Sequence, residues 1–294
     1  MKKVSYFFTF ILFAFFWSLP LLGQPKDGIE IKKITADLYC LTGSGGNMAV
    51  LDTADGLLLV DSKLEHKAEL VLKKIREISP KPIRYLICTH YHDDHTGGLL
   101  TLGKDAEIIA QENCRASLVR REPKKTKIPF LNGIKTYDRE MEITLGGQAI
   151  KLLHLNPAHT SGDTVVIFKN QEIIHVGDLF FNGLPPYIDL NDGADTSNWL
   201  SAIDVLSKVY ADFTVIPGHG PLTDMKGFLG FAAYLEYMKT EVEKAVLAGK
   251  TAKEAMDEIK TDRFPAIKDQ DSFSSHKNVV FWLFQEFSAR KKAN

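Results

Sequence analysis

The chain has 294 residues, 45% of them hydrophobic and 25% charged, with 36 Lys and Arg against 37 Asp and Glu and a formal net charge of −1. That balance excludes a disordered chain and supplies no global basic field for nucleic acid. The length suits one large α/β core, and three cysteines are too few to frame a chain of this size with disulfides.

At the N-terminus six of the 18 phenylalanines fall before residue 20. Lys2 and Lys3 precede an uncharged apolar run, residues 4–22, which exits through Leu21-Leu22-Gly23-Gln24. A basic start, an apolar core and a small-residue exit form the pattern of a signal peptide, so residues 1–23 are expected to be removed after Gly23. The other reading is a retained membrane anchor, because ~18 apolar residues suffice to span a bilayer. Cleavage predicts an exported protein, periplasmic or secreted, with no stable membrane insertion and 34 basic against 37 acidic residues. Residues 24–294 contain no repeat, linker or low-complexity segment, and are expected to form a single domain with C-terminal helices.

Along that domain, apolar runs too short for helices alternate with helical stripes. Gly56–Val60 reads as a strand, followed by a helical stripe at Leu64, Ala68, Val71, Leu72, Ile75 and Ile78, and then by a strand over residues 83–88. Strands follow at 150–155, 165–168 and 173–176, the last two joined by a hairpin turn at Asn170-Gln171. A stripe at Trp199, Ala202, Ile203, Leu206 and Tyr210 leads to a strand at 213–216. Two further stripes, Phe228 to Ala245 and Val280 to Phe287, close the chain. One apolar face per helix and strands buried on both faces predict an α/β (α+β) sandwich with mixed sheets.

The informative polar residues each follow a strand. Asp61 follows Val60; Thr89-His90-Tyr91-His92-Asp93-Asp94-His95-Thr96-Gly97-Gly98 follows Cys88; His159 follows the run ending at Leu155; Asp178 follows Val176; His219 follows Ile216. Ligands bind beyond the carboxyl ends of strands in open α/β sheets, so these five loops are expected to converge. His90, His92, Asp94 and His95 crowd nitrogen and oxygen donors into six positions with no thiolate, which suits a borderline metal such as zinc in a catalytic setting.

His90-x-His92-x-Asp94-His95, followed in order by His159, Asp178 and His219, resembles the motif set of the metallo-β-lactamase superfamily over nearly the whole of residues 24–294. The resemblance implies a four-layer αβ/βα sandwich with two mixed sheets and a metal site at one edge. It implies two Zn2+ per chain, the first on His90, His92 and His159, the second on Asp94, His95 and His219, with Asp178 bridging them. Asp61 matches the strand-end aspartate that supports the metal loop from behind, its other reading being a cap for the following helix. Two ions about 3.5–4 Å apart would activate a water for attack on a carbonyl or phosphoryl centre, with Asp94 orienting it or relaying its proton.

Departures from the motif set narrow the expectation. His92 stands where di-iron oxygen-reducing members resemble the pattern with glutamate. Asp178 stands where one large β-lactamase group has cysteine, and Phe181 where that group has the lysine that holds the drug's carboxylate. Aspartate at 178 resembles glyoxalase II-like thioesterases and lactonases, so the expected activity is an exported zinc hydrolase of a small ester, thioester, lactone or amide, with β-lactam hydrolysis weak. The alternative is a mononuclear-iron sulfur-oxidising enzyme or a non-hydrolytic accessory protein of an exported redox system. Phe180, Phe181 and Tyr187 are expected to wall an apolar pocket for a small-molecule substrate, and oligomeric state is left open. Cys40, Cys88 and Cys114 read as small buried residues, His154 and His175 as core histidines, His66 and His276 as surface or capping groups, and the basic residues at 290–292 as a frayed tail.

Overall fold

Every side chain of Gly56–Val60 is buried, and successive residues serve different cores. Leu57 and Leu59 pack with the helices on one side, while Leu58 and Val60 pack against a second sheet on the other. That is the period of two expected of a strand covered on both faces. The computed structural model describes residues 28–122, 125–271 and 273–293, and the predicted signal segment lies outside them.

In chain order the first half comprises β1 (Glu30–Lys33), β2 (Leu38–Thr42), β3 (Met48–Thr53), β4 (Gly56–Val60), α1 (Ala68–Ile78), β5 (Ile83–Ile87), α2 (Asp93–Thr96), α3 (Leu99–Leu102), β6 (Glu107–Gln111), α4 (Glu112–Arg121), α5 (Ile128–Asn132) and β7 (Lys135–Tyr137). Its strands form a seven-stranded sheet in sequential order, antiparallel from β1 to β4 and parallel from β4 to β7. The second half comprises β8 (Glu140–Leu145), β9 (Gln148–Leu153), β10 (Val165–Phe168), β11 (Ile173–His175), α6 (Thr196–Val209), β12 (Thr214–Ile216), β13 (Thr223–Asp224), α7 (Met225–Leu247), α8 (Ala252–Glu258) and α9 (His276–Ala293). Its six strands run in the order β13-β12-β11-β10-β9-β8, with β11 and β12 the parallel pair. The expected turn between β10 and β11 is present as a 3-10 turn, Lys169–Gln171, closed by Glu172 at φ 54°.

Three apolar cores separate four layers, as the resemblance implied. Leu51, Leu58 and Ile87 of the first sheet meet Leu152, Val166 and Phe168 of the second between the sheets. Val71 and Ile75 of α1 cover the outer face of the first sheet beside Leu59 and Leu86. Trp199, Phe228, Phe231 and Leu283 of α6, α7 and α9 cover the outer face of the second beside Ile167 and Ile174. Helix starts follow capping chemistry: Asp195 accepts from the Asn198 N–H at 2.8 Å and Asp224 from the Gly227 N–H at 3.0 Å.

The three cysteines are buried free thiols, as expected. The basic tail is a correction: Arg290 donates to Asp195 at 2.8 Å and Glu286 at 2.6 Å, so the end of α9 is tied to the start of α6. No helix among the described residues is long and apolar enough to cross a membrane.

Candidate metal centre

All five strand-end loops reach one place. The β4 end turns sharply because Asp61 sits at φ 65° and Lys63 at φ 58°, a backbone region costly for residues other than glycine. What holds the turn is hydrogen bonding: the fully buried Asp61 carboxylate accepts from the Thr89 N–H at 2.7 Å, the Thr89 hydroxyl at 2.8 Å and His95 Nδ1 at 2.7 Å. The Lys63 ammonium, also buried, donates to the carbonyls of Gly43 and Gly46 at 2.7 Å each. Asn47 then ties that loop to the other half of the fold. Its N–H donates to the Gly218 carbonyl at 2.7 Å, and its side chain to Pro217 and Gly220 on either side of His219 at 2.9 and 2.8 Å.

Seven predicted donors form two groups. In the first, His90 Nε2 and His159 Nε2 lie 3.0 and 3.2 Å from His92 Nδ1, and 3.6 and 3.5 Å from Asp178 Oδ2. In the second, Asp94 Oδ2 is 3.5 Å from His95 Nε2 and 3.2 Å from His219 Nε2, and Asp178 Oδ1 is 3.1 and 3.4 Å from the same nitrogens. Each group gathers its ligand atoms tightly enough to hold a metal ion.

The outward ring nitrogens decide what the inward ones are. His159 Nδ1 donates to the Tyr187 carbonyl at 3.0 Å, His95 Nδ1 to Asp61, and His92 Nε2 to Asp189 Oδ2 at 3.0 Å. His90 Nδ1 donates to the Thr89 hydroxyl at 3.0 Å, whose own proton goes to Asp61. With the His90, His92 and His159 protons committed outward, bare lone pairs face one another across about 3 Å in the first group, an arrangement a cation relieves. Asp178 Oδ1, buried, has no hydrogen-bond partner, which fits the same reading.

The electrostatics divide along the same line. Burial holds His90 well below its ordinary pKa and His159 down to about 3, so both keep free lone pairs. Burial would depress His95 and His219 too, but the Asp178 and Asp94 carboxylates beside them prevail, lifting His219 to about 9 and His95 well above its usual range. The second group therefore demands positive charge in its midst. Two glycines make room for its side chains: a Cβ on Gly46 would run into the His95 ring, and one on Gly218 into Asp178 Oδ1.

A cleft of about 740 Å³ opens onto His92, Asp94, Asp178 and His219. Phe181 lines it, stacked on the His219 ring at 5.2 Å, and Tyr187 lines it beside Phe273. Phe180 does not: it is buried against Phe228 and Phe231 at 5.0 and 5.5 Å. The backbone at Phe180 is extended, so neighbouring side chains point to opposite sides and only one of the pair can face the cleft.

Sequence reasoning missed Asp189, which accepts from both His92 and the Tyr91 hydroxyl. It also missed Asn47, Lys63 and the wall contributed by Phe273. The core histidines stand as expected, His154 donating to the Asp163 carbonyl at 2.7 Å and His175 to the Asn47 carbonyl at 3.1 Å. Asp163 closes the His159 loop by accepting from the Thr160 N–H and hydroxyl at 2.9 and 2.7 Å.

Residues 41–219 match the family model described as the metallo-beta-lactamase superfamily. A 2,4-dinitroanisole O-demethylase subunit alpha from Nocardioides sp. (strain JS1661) is 30% identical over 140 residues, covering 47% of this chain and 41% of that protein. A metallo-beta-lactamase type 2 from Bacillus cereus is 28% identical over 187 residues, 60% of this chain and 68% of that one. The chain thus spans less than half the length of the first of these relatives. Among solved structures, a metallo-beta-lactamase from Pontibacter korlensis superposes with a TM-score of 0.62 at 21% identity, covering 71% of this chain and 99% of that one. The sec-alkylsulfatase Pisa1 from Pseudomonas sp. superposes at 0.70 with 15% identity, covering 88% and 50%. These likenesses show the four-layer fold.

Proposed function

The chain belongs to the metallo-beta-lactamase superfamily, and from that membership we propose that it is an exported hydrolase that uses two zinc ions on a small ester, thioester, lactone or amide. The observation that carries this reading is Asp178, whose two carboxylate oxygens each complete a different donor group. His90 Nε2, His92 Nδ1, His159 Nε2 and Asp178 Oδ2 would hold one ion; Asp94 Oδ2, His95 Nε2, His219 Nε2 and Asp178 Oδ1 the other. Nitrogen and oxygen donors without thiolate suit zinc. When bound, the ions would supply Lewis acidity, acidifying water and polarising a carbonyl oxygen.

The chain's own residues do the rest. Asp94 is the donor carboxylate open to the cleft, with a side chain 30% exposed. Burial alone would raise its pKa, but His95 and His219 hold it well below the ordinary carboxylate range. It is therefore ionised at neutral pH, and the oxygen not committed to the donor group would accept the proton of the attacking water. Phe181 covers the His219 ring and Tyr187 lies against His92 at 5.5 Å, so the donors meet solvent through the cleft. Export rests on the sequence of residues 1–23.

Two features favour an ester-like substrate over a β-lactam: Asp178 in place of cysteine and Phe181 in place of the lysine that would anchor the drug's carboxylate. The test is metal analysis of the purified chain without residues 1–23, followed by a panel of esters, thioesters, lactones, amides and β-lactams with and without chelator. Close to two zinc ions and chelator-sensitive ester or lactone hydrolysis, lost in His92→Ala, are expected. Full activity without metal, or iron content with oxygen consumption on a persulfide, would overturn the reading.

A further inference from the structure

The hydrolase reading leaves open which acyl compounds the cleft selects, and two features of its wall bear on that. One is a shelf of aromatic rings. Tyr187 packs against Phe273 at 5.1 Å and Trp282 at 4.8 Å, and Phe273 and Trp282 meet at 5.6 Å. Phe273 is 56% exposed, although an apolar ring of that size is ordinarily covered. This shelf is built partly from α9 and the segment before it, beyond residues 41–219 that match the family model.

The second feature is a cation. Arg120 and Arg121 end α4 and both line the cleft. Arg120 is spent on the buried Asp192 carboxylate and the Ser117 hydroxyl. Arg121 has no carboxylate partner among the described residues and rests over the Tyr91 ring at 5.1 Å. Two of the acidic groups that line the cleft are already engaged. Asp189 accepts from Tyr91 and His92, and Asp271 Oδ1 accepts from the N–H groups of Phe273 and Ser274 at 2.8 and 2.7 Å. A guanidinium stacked on an aromatic face keeps its donor edge free for a bidentate anion.

Ring contacts link the two features through the metal donors. Arg121 lies on Tyr91, Tyr91 is 4.7 Å from His92, and His92 is 5.5 Å from Tyr187 of the shelf. A ligand touching both ends therefore passes His92. We propose that the cleft selects acyl compounds that carry a carboxylate at one end and an apolar or aromatic group at the other. Arg121 holds the carboxylate, Tyr187 and Phe273, backed by Trp282, hold the apolar end, and the scissile bond lies between them. This rests on the hydrolase reading of the same cleft.

The test separates recognition from turnover by using ligands that cannot be hydrolysed. Calorimetric titration of the zinc-loaded protein with 6-phenylhexanoate and with 6-phenyl-1-hexanol should give about tenfold tighter binding of the carboxylate. Arg121→Met should bring that ratio to about one, Arg121→Lys should keep only part of it because an ammonium has no planar fork, and Phe273→Ala should weaken both ligands alike. Equal affinities in the unaltered protein would overturn the proposal. So would a carboxylate preference that survives Arg121→Met, since the metal pair would then be holding the anion. A carboxylate preference without turnover of any ester would instead remove the hydrolase reading and leave recognition standing.

Discussion

The Asp61 carboxylate lies 2.7 Å from His95 Nδ1, and both side chains are fully buried. A carboxylate placed there fixes the ring's tautomer and aims Nε2 at the second donor group. Asp61→Asn keeps the shape and removes the charge. It should weaken the second ion by roughly 10–100-fold while the first remains bound. Competition against a chromophoric chelator would read the two affinities, and equal loss at both would reject a local role for Asp61.

Asp189 does for the first group what Asp61 does for the second. It accepts from His92 Nε2 at 3.0 Å and from the Tyr91 hydroxyl. Asp189→Ala frees the His92 ring to change tautomer and should lower affinity at the first group by roughly 10–100-fold. Tyr91→Phe removes only the neighbouring hydroxyl and should cost less. A larger effect from Tyr91→Phe than from Asp189→Ala would contradict this ordering.

Space behind His95 is as demanding as charge. A Cβ at Gly46 would come within 2.1 Å of the imidazole, so Gly46→Ala must displace the ring. Overpacking of this kind costs about 1–3 kcal/mol, and one ion in place of two is expected by metal analysis. Gly230 in α7 meets nothing within 4 Å, so Gly230→Ala should stabilise the fold by roughly 0.5–1 kcal/mol and leave metal content at two.

Acid should destabilise the fold through His175. Its Nε2 donates to the Asn47 carbonyl and its Nδ1 accepts from the Gly177 N–H at 3.2 Å, which commits the ring to the neutral form. Burial holds its pKa down to about 4, from an ordinary 6.5. The unfolded chain therefore takes up this proton first, and the contribution of the neutral ring is complete above pH 6.5 and lost as pH falls toward 4. That loss is on the order of 3 kcal/mol. Urea unfolding from pH 4 to 7.5 should show a shallower dependence in His175→Gln, and parallel curves for the two proteins would exclude His175 as the cause.

Removing metal should lower stability without abolishing the fold, because three apolar cores stand independently of the donors. Zinc at about 100 times its dissociation constant should add about 2.7 kcal/mol over the chelated protein for each independent site. A melting temperature indifferent to chelator would count against both donor groups.

The sequence made legible what depends on local pattern and on a short motif. The strand-end placement of Asp61, His159, Asp178 and His219 could be read because each follows a β-branched or leucine-rich run. Hydrophobic period also supplied β4, α1, α6 and α7. It missed β1, whose Glu30, Ile31, Lys32 and Lys33 are all exposed or half-buried and carry no apolar stripe. Asp189 was illegible for another reason: its partner His92 is 97 positions away, and a carboxylate in a proline-containing loop has no local sign of its task. Phe180 and Phe181 show the limit of composition, since two adjacent aromatics suggested one apolar wall while extended backbone sends them to opposite sides.

Neither donor group belongs to one sheet. His92 reaches across 67 positions to His159, and His95 across 124 to His219, while Asp178 from the second half completes both groups. An ion in either place would thus cross-link the halves of the molecule, closing loops whose entropy the unfolded chain would otherwise keep. Neither half carries a complete set of donors, so affinity for metal reports on the docking of the two sheets as well as on the chemistry of the ligands.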